Sequence, residues 1–567
     1  MQRITYALVV STIVSIPWLT SCAGALADKQ QAQVTAAVRA IVQASNRPPY
    51  IGKDAEAGRL WKITREFYSN RQFAAAWIQG SAPKSQVRDF IKALWSADHE
   101  GLDPQLYSAP LIDRKAQEAS KGFLTKKGFE LKEAGAFDVW LTYLYLKYAS
   151  DLADGLSDLA HADPKWQIRP EKFDPRARLE DALANNRIAE SLEELSPDNM
   201  QYRNLRHVLS KYREQAAKGG WPKVAVTKLK RGQRHANVLA IAKRLAATGD
   251  YRGSIPPDGR QAEYTVELAE AVKQFQRRHG LTDDGAITPA VVAEMNVPLD
   301  ERIQRIRLNL ERWRWLPRNL GERYILVNIP EARLEVWDHG DVPITMRTVV
   351  GKQDTPTPIF NDVMTHVVFS PFWNVPPEIA EGETLPEVLK DPEFLTRQNM
   401  EVLDTSGNPV DALLIDLSDL TKYRFRQRPG TDNSLGLVKF MFPNQFDVYL
   451  HDTPANSLFA RASRSFSHGC VRLEQPVALA RYVLRDQQEW TEERIDEAMH
   501  SGEERHVKLK NPIPVYLGYW TARVSADGLV QFRKDIYGID QRQIALLNDR
   551  LGRMRKSAAA TSAAATH

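Results

Sequence analysis

The spacing of apolar residues changes period once, near residue 322, and this change bounds what the 567-residue chain can fold into. Before it, apolar side chains recur every three to four residues, the spacing of one helix face. The stretch 134–152 carries Phe137, Trp140, Leu141, Leu144, Tyr145 and Tyr148 in this way, which reads as core rather than as a ligand site. After it come short runs rich in Val, Ile, Tyr and Phe with turn residues between them, at 324–329, 334–337, 345–350, 363–369, 446–450 and 515–524. Such runs predict strands. The class is therefore multidomain α+β, helical first and then a β-sandwich-like or barrel-like domain.

Finer punctuation divides the chain further, and its length suits about three or four domains. Residues 28–225 read as a helical scaffold. Residues 226–298 form a three-helix unit. One helix over 236–248 stops at Gly249, a second shows Leu268, Val272 and Phe275 on one face and stops at Gly280, and a third carries Val291, Val292 and Met295. Residues 299–321 hold a basic amphipathic linker helix with Ile303, Ile306, Leu310 and Trp313 on one side. The β-rich part runs over 322–545. A polar stretch, 378–431, interrupts its strands. It includes a helical piece at 383–390 and is too long for a simple loop. The Ala/Ser/Thr-rich tail, 546–567, is expected to be disordered.

The N-terminus reads as an export signal. Arg3 gives a positive start, 7–19 is mostly apolar, and small residues follow. Two cleavage readings compete. Leu19-Thr20-Ser21-Cys22 resembles a lipobox, which would make Cys22 a lipidated first residue. Ala25-Leu26-Ala27 before Asp28 fits ordinary secretion, with 1–27 as signal peptide, and is preferred. No later run approaches the ~18 apolar residues of a membrane helix. The net charge of +5 fits an anionic wall or membrane surface, and equally well ordinary solubility. No feature points to nucleic acid.

Cys470 is the other of the chain's two cysteines, so past Cys22 the chain holds a single thiol. An unpaired Cys kept in an oxidising compartment suggests that its reactivity is what matters. It stands in Ser467-His468-Gly469-Cys470-Val471-Arg472, with Tyr449-Leu450-His451-Asp452 upstream. A thiol with a nearby imidazole suits nucleophilic catalysis, in which His takes the proton and sulfur attacks a carbonyl. Strand alternation sends Tyr449 and His451 to one face. Ser467 and Gly469 shape the turn, and the N–H of Gly469 or Cys470 is a candidate oxyanion donor. A helix opening near Gln475-Pro476 is expected to place its positive end by the thiolate. Arg472 either holds a substrate carboxylate or anchors the loop through a structural one. Tyr449, Trp373 and Asn374 are candidate pocket walls, although core packing serves Trp373 as well. The spacing of His366, His451, His468 and Cys470 does not make a zinc site. A papain-like order, with His after Cys, leaves only His500, His506 and His567, of which His500 and His506 look exposed.

The string H-x(15)-S-H-G-C-x-R resembles the active-site signature of the L,D-transpeptidase (YkuD) catalytic domain. Ser370-Pro371-Phe372-Trp373-Asn374-Val375-Pro376-Pro377 and Asn433-Ser434-Leu435-Gly436-Leu437-Val438-Lys439-Phe440 are similar to other parts of that domain. Ala271-Val272-x-x-Phe275-Gln276 and Gly280-Leu281-x-x-Asp284-Gly285 look like a peptidoglycan-binding three-helix module. The whole layout resembles the long YcbB-type enzymes of Gram-negative bacteria. The resemblance implies Cys470 as nucleophile, His451 as general base, and Tyr449, His468, Arg472, Trp373 and Asn374 about the substrate. It implies 378–431 as a capping lid, a periplasmic location and no cofactor. It also implies peptidoglycan stem peptides as donor and acceptor, joined by diaminopimelate–diaminopimelate (3–3) crosslinks, and carbapenem-type β-lactams as covalent inhibitors. A D,D-carboxypeptidase that makes tetrapeptide donors is a conceivable partner, and glycan binding by 226–298 stays open. So do water or a protein Lys as acceptor, and a non-catalytic wall-binding role.

Overall fold

The computed structural model describes residues 18–564 except 125–128, 157–163, 165, 227, 258–260, 392, 412–414 and 416–421. Most of the segment read as an export signal thus lies outside the described residues, as do the side chains of 18–27, Cys22 among them. The chain divides into two compact units. One comprises Met1–Ala153, Lys172–Ser196 and Asp549–His567, and the other Asp154–Glu171 and Pro197–Asn548.

The first unit is helical. Its central helix, Leu131–Ala153, is buried on every side, beyond the single aromatic stripe legible in the sequence. Inside it the Asp138 carboxylate accepts the N–H groups of Ala76, Trp77 and Ile78 and the Tyr68 hydroxyl. Four donors compensate a charge that burial would otherwise make costly. The tail expected to lack structure is instead helical, in Ile539–Ala564. Leu551 is buried, Arg550 pairs with Glu56, and Arg555 pairs with Asp103. The Ala content that reads as low complexity also favours a helix.

The second unit starts with Met200–Ala217, which packs on the linker helix Leu299–Arg314. The linker helix buries Arg302, Arg312 and Arg314, which pair with Glu294, with Asp540 and Gln543, and with Glu311. Between these two helices lies the small module, with helices Val238–Ala247, Val266–Arg278 and Pro289–Met295 about one core. The Gln276 amide accepts the Gly285 N–H and donates to Asp284 and Ala286. That links the two sequence pieces singled out above. Gly285, at φ +72°, holds a left-handed backbone that a side chain would strain, and a β-carbon there would lie 3.0 Å from the Ala269 carbonyl oxygen.

Nine strands build the C-terminal domain: β1 Arg323–Asn328, β2 Arg333–Asp338, β3 Asp341–Gly351, β4 Phe360–Phe369, β5 Val438–Met441, β6 Leu450–His451, β7 Ser465–Ser467, β8 Val471–Leu473 and β9 Arg505–Gly518. Their order is β7-β3-β8-β6-β5-β4-β9-β1-β2, and β2 also pairs with β3, which closes the sheet on itself. Two predicted strands are shorter than expected. The 446–450 run pairs only from Leu450, because the Asn444 side chain binds the Phe442 and Val448 carbonyls and the Phe446 N–H. It holds a turn that a strand would have to break. The 515–524 run breaks after Gly518, where Asn328 and Asn309 take the N–H groups of Trp520 and Thr521.

The interruption begins earlier than residue 378. Trp373–Asn374 pairs with Tyr423–Gln427, which pairs in turn with Met400–Asp404, and this with Pro409–Val410. The resulting four-stranded sheet has its own core of Val375, Ala380, Leu395, Val402 and Phe425. The helical piece is observed as Leu385–Lys390, preceded by a wide turn, Ala380–Thr384.

Candidate active site

Two short parallel strands set the site. In the β6–β8 pair, Leu450 lies opposite Val471 and His451 opposite Arg472. Residues opposite one another in a sheet share a face, and successive residues alternate. Leu450 and Val471 are fully buried in the core. Tyr449, His451, Cys470 and Arg472 therefore share the other face, and the Val471 N–H donates to the Tyr449 carbonyl to hold that register.

Cys470 is a free, half-buried thiol whose Sγ lies 3.8 Å from the Asp447 carbonyl. Burial pushes the thiol up to about 11, against the opposing pull of the Tyr449 N–H and hydroxyl and the Arg472 guanidinium. At neutral pH it is protonated. His451 is buried, and its Nδ1 lies 2.6 Å from the Asp452 carbonyl, a contact that assigns the proton to Nδ1 and a lone pair to Nε2. Burial, then Arg472, pushes the ring down to about 3. The pair is thus neutral thiol and neutral imidazole, a general-base arrangement rather than a resting ion pair. Among the described residues no hydrogen bond joins His451 to Sγ. The Tyr449 ring stands against His451 at 5.7 Å.

The turn is fixed from below. Buried Ser467 donates through Oγ to the Cys470 carbonyl and accepts the Gly469 N–H. That N–H is thereby used within the turn, whereas no acceptor among the described residues faces the Cys470 N–H. Of the two expected oxyanion donors, the geometry favours Cys470. Gly469 has φ +121°, which demands glycine. Its carbonyl accepts the Thr357 hydroxyl, which accepts the Gly351 N–H, and the Tyr537 hydroxyl donates to the Gly351 carbonyl. Gly351 could not carry a β-carbon, which would lie 2.3 Å from the Thr355 carbonyl oxygen. Thr357, Gly351 and Tyr537 carry no signal in the sequence, since they lie more than 60 residues from the motif.

The Asn433–Phe440 string has a legible use. Asn433 donates to the Pro371 and Arg428 carbonyls and so closes the neck of the inserted subdomain. The Asp452 carboxylate accepts the Leu437 and Thr453 N–H groups. It sits where a side chain on Gly436, at φ +61°, would be.

Other expectations are placed differently. Trp373 and Asn374 pair with Gln427 and Arg426 in the inserted sheet, and Trp373 packs on that subdomain's core. The helix Pro476–Leu484 starts three residues after the end of β8. Arg472 has a buried Nε without a partner, and among the described residues no carboxylate pairs with it, which disfavours the loop-anchor reading. His468 Nε2 lies 2.8 Å from Glu383 Oε1, on the inserted subdomain, and 3.3 Å from Lys352 Nζ. Neither partner was foreseen.

Comparison with known proteins gives three family matches. Residues 322–502 match the L,D-transpeptidase catalytic domain, 234–295 a "Putative peptidoglycan binding domain", and 62–209 a scaffold domain. A "Putative L,D-transpeptidase" of Haemophilus influenzae is 36% identical over 487 residues, 85% of this chain and 79% of that one. The chain belongs to the L,D-transpeptidase family. Similar solved structures include an L,D-transpeptidase from Mycobacterium smegmatis, 18% identical over 34% of this chain with TM-score 0.17. Another is the L,D-transpeptidase of Xylanimonas cellulosilytica, 15% identical over 52% of this chain and 98% of that one, TM-score 0.17. A third is an LD transpeptidase in complex with imipenem, 17% identical over 34% of this chain, TM-score 0.17. This chain spans 58% of the first and third of these. Membership rests on the Haemophilus relative and the domain match; superpositions this poor add nothing to it.

Proposed function

We propose that this L,D-transpeptidase forms 3–3 crosslinks in peptidoglycan through an acyl-enzyme on Cys470. His451 takes the thiol proton as Sγ attacks the carbonyl of the diaminopimelate L-centre in a tetrapeptide stem. The N–H of Cys470 receives the oxyanion. The amide bond to D-Ala breaks, and its nitrogen leaves with the proton from His451. The side-chain amine of a second stem's diaminopimelate then attacks the thioester and gives a proton to His451, which returns it to sulfur. The observation that carries this reading is the shared face of Tyr449, His451, Cys470 and Arg472, with the only thiol among the described side chains on a turn pinned from below. The family and the leader-like N-terminus support work in the periplasm, and the module supports retention on the wall. Membership of the family supports acylation of Cys470 by carbapenem-type β-lactams.

The test incubates the protein and its Cys470→Ala variant with disaccharide-tetrapeptide, followed by mass spectrometry. A dimer that has lost one D-Ala, absent in the variant, is the expected result. Loss of D-Ala without a dimer assigns hydrolysis instead. No change of substrate favours a wall-binding protein.

A further inference from the structure

Three basic side chains converge beside the thiol from three elements. Lys352 follows β3, His468 is in the turn, and Arg472 lies on β8 two residues beyond Cys470. One carboxylate meets this group, at His468. Glu383, from the wide turn Ala380–Thr384 of the capping subdomain, lies 2.8 Å from His468 Nε2 and acts electrostatically on Arg472. Lys352 Nζ lies 3.3 Å from the same His468 nitrogen, and the Lys352 N–H is tied to the Ser467 carbonyl, so the lysine is fixed to the turn. Arg472 keeps a buried Nε with no partner. Glu383 itself is largely exposed and has no second cation within ion-pair distance among the described residues. A buried guanidinium N–H is costly when unpaired, so this cluster has unused capacity for an anion.

We propose that Lys352, His468 and Arg472 form a carboxylate subsite, and that Glu383 is a displaceable stand-in for the ligand's carboxylate. The site's ligand class is an electrophile with a free carboxylate a few bonds from the attacked carbonyl. Resting on the proposed reaction, that group is the terminal carboxylate of the donor stem, which belongs to the residue that leaves. Binding of the donor then releases Glu383 and frees the capping subdomain from the turn. Arg472 lies about two strand steps, roughly 6–7 Å, from Cys470, a span that suits an α-carboxylate next to the scissile amide. Selection for a free terminal carboxylate follows, because a stem lacking it leaves Arg472 unpaired and Glu383 in place.

The test compares thiol alkylation by an anionic and a neutral reagent, iodoacetate and iodoacetamide, on the full chain. In each case the thiolate displaces iodide, and mass spectrometry of the Cys470 peptide gives the rate. The ratio of the two rates cancels any general change in access. Glu383→Gln is expected to raise the iodoacetate-to-iodoacetamide ratio by about 3–10-fold, the worth of one partly screened charge. Lys352→Ala is expected to lower it by a similar factor. Ratios unchanged in both variants would overturn the subsite. The readout needs no stem peptide. A shifted ratio in a chain without transpeptidation keeps the subsite and removes the proposed reaction, and transpeptidation with unshifted ratios does the reverse.

Discussion

Cys470 and His451 share one face of two adjacent strands, yet each is tuned by its surroundings to stay neutral. Two outcomes follow. With the thiol at about 11, alkylation of Cys470 by iodoacetamide should keep rising about tenfold per pH unit through pH 9 and 10. A plateau near pH 9, read by mass spectrometry, would show an ordinary thiol. His451 binds its proton near 6.5 in the unfolded chain and only near 3 in the folded one. Between those values the unfolded chain carries the extra proton, so the fold loses stability as pH falls from about 6.5 toward 3. His279, also buried and held well below its usual value, adds to this slope. Replacing His451 by Asn should flatten the slope in urea titrations at pH 6.5 and 4.5, and an unchanged slope would remove His451 as its source. The thiol, the imidazole and the motif were legible because they are local in sequence. The tuning was not, because burial and the Arg472 charge arise only when β6 and β8 pair.

At the scale of elements, the inserted subdomain is a folded piece with a neck, not a loop. Excision over 378–431 would remove Tyr423–Gln427 and leave Trp373–Asn374 without a partner strand. Excision of 373–427 instead removes the sheet whole, and Asn433 already bridges Pro371 to Arg428 across the gap. The longer cut should therefore leave a chain that melts cooperatively and alkylates at Cys470, with altered substrate use. Cooperative melting of the 378–431 deletion instead would put the boundary back where the sequence suggested it. The sequence misplaced this edge because a two-residue strand carries no periodicity, and Trp373 reads equally well as a pocket wall. On the other side of the site, Gly436→Ala should destabilise by about 1–3 kcal/mol, from the left-handed backbone and the clash with Asp452. Thermal melting checks this, and a neutral effect would mean that the loop by His451 can relax.

Across the second unit, the module and the closed sheet are joined by charges that neither could bury alone. Arg278, at the end of a module helix, is buried with Asp250 and donates to the Val530 carbonyl. Arg533 returns a bond to the Arg278 carbonyl and pairs with Glu331, which also takes Arg523. The three-helix spacing announced the module, but nothing in the sequence coupled Asp250 to residues some 280 positions later. Coupling through buried ion pairs has a sign. Removing one partner strands the other, which costs about 3–5 kcal/mol, far more than a surface pair is worth. Asp250→Ala should therefore lower the stability of the module and of the strand pair Ala522–Val524 and Val530–Phe532 together. Hydrogen exchange should report it as faster opening in Val266–Arg278 and in that strand pair alike. Replacing Asp250 and Arg278 together by apolar residues should recover much of the loss, since the stranded charge is gone. If exchange speeds up in the module alone, the two domains are neighbours in one unit without being energetically one body. The module would then open and close without disturbing the turn that carries the thiol.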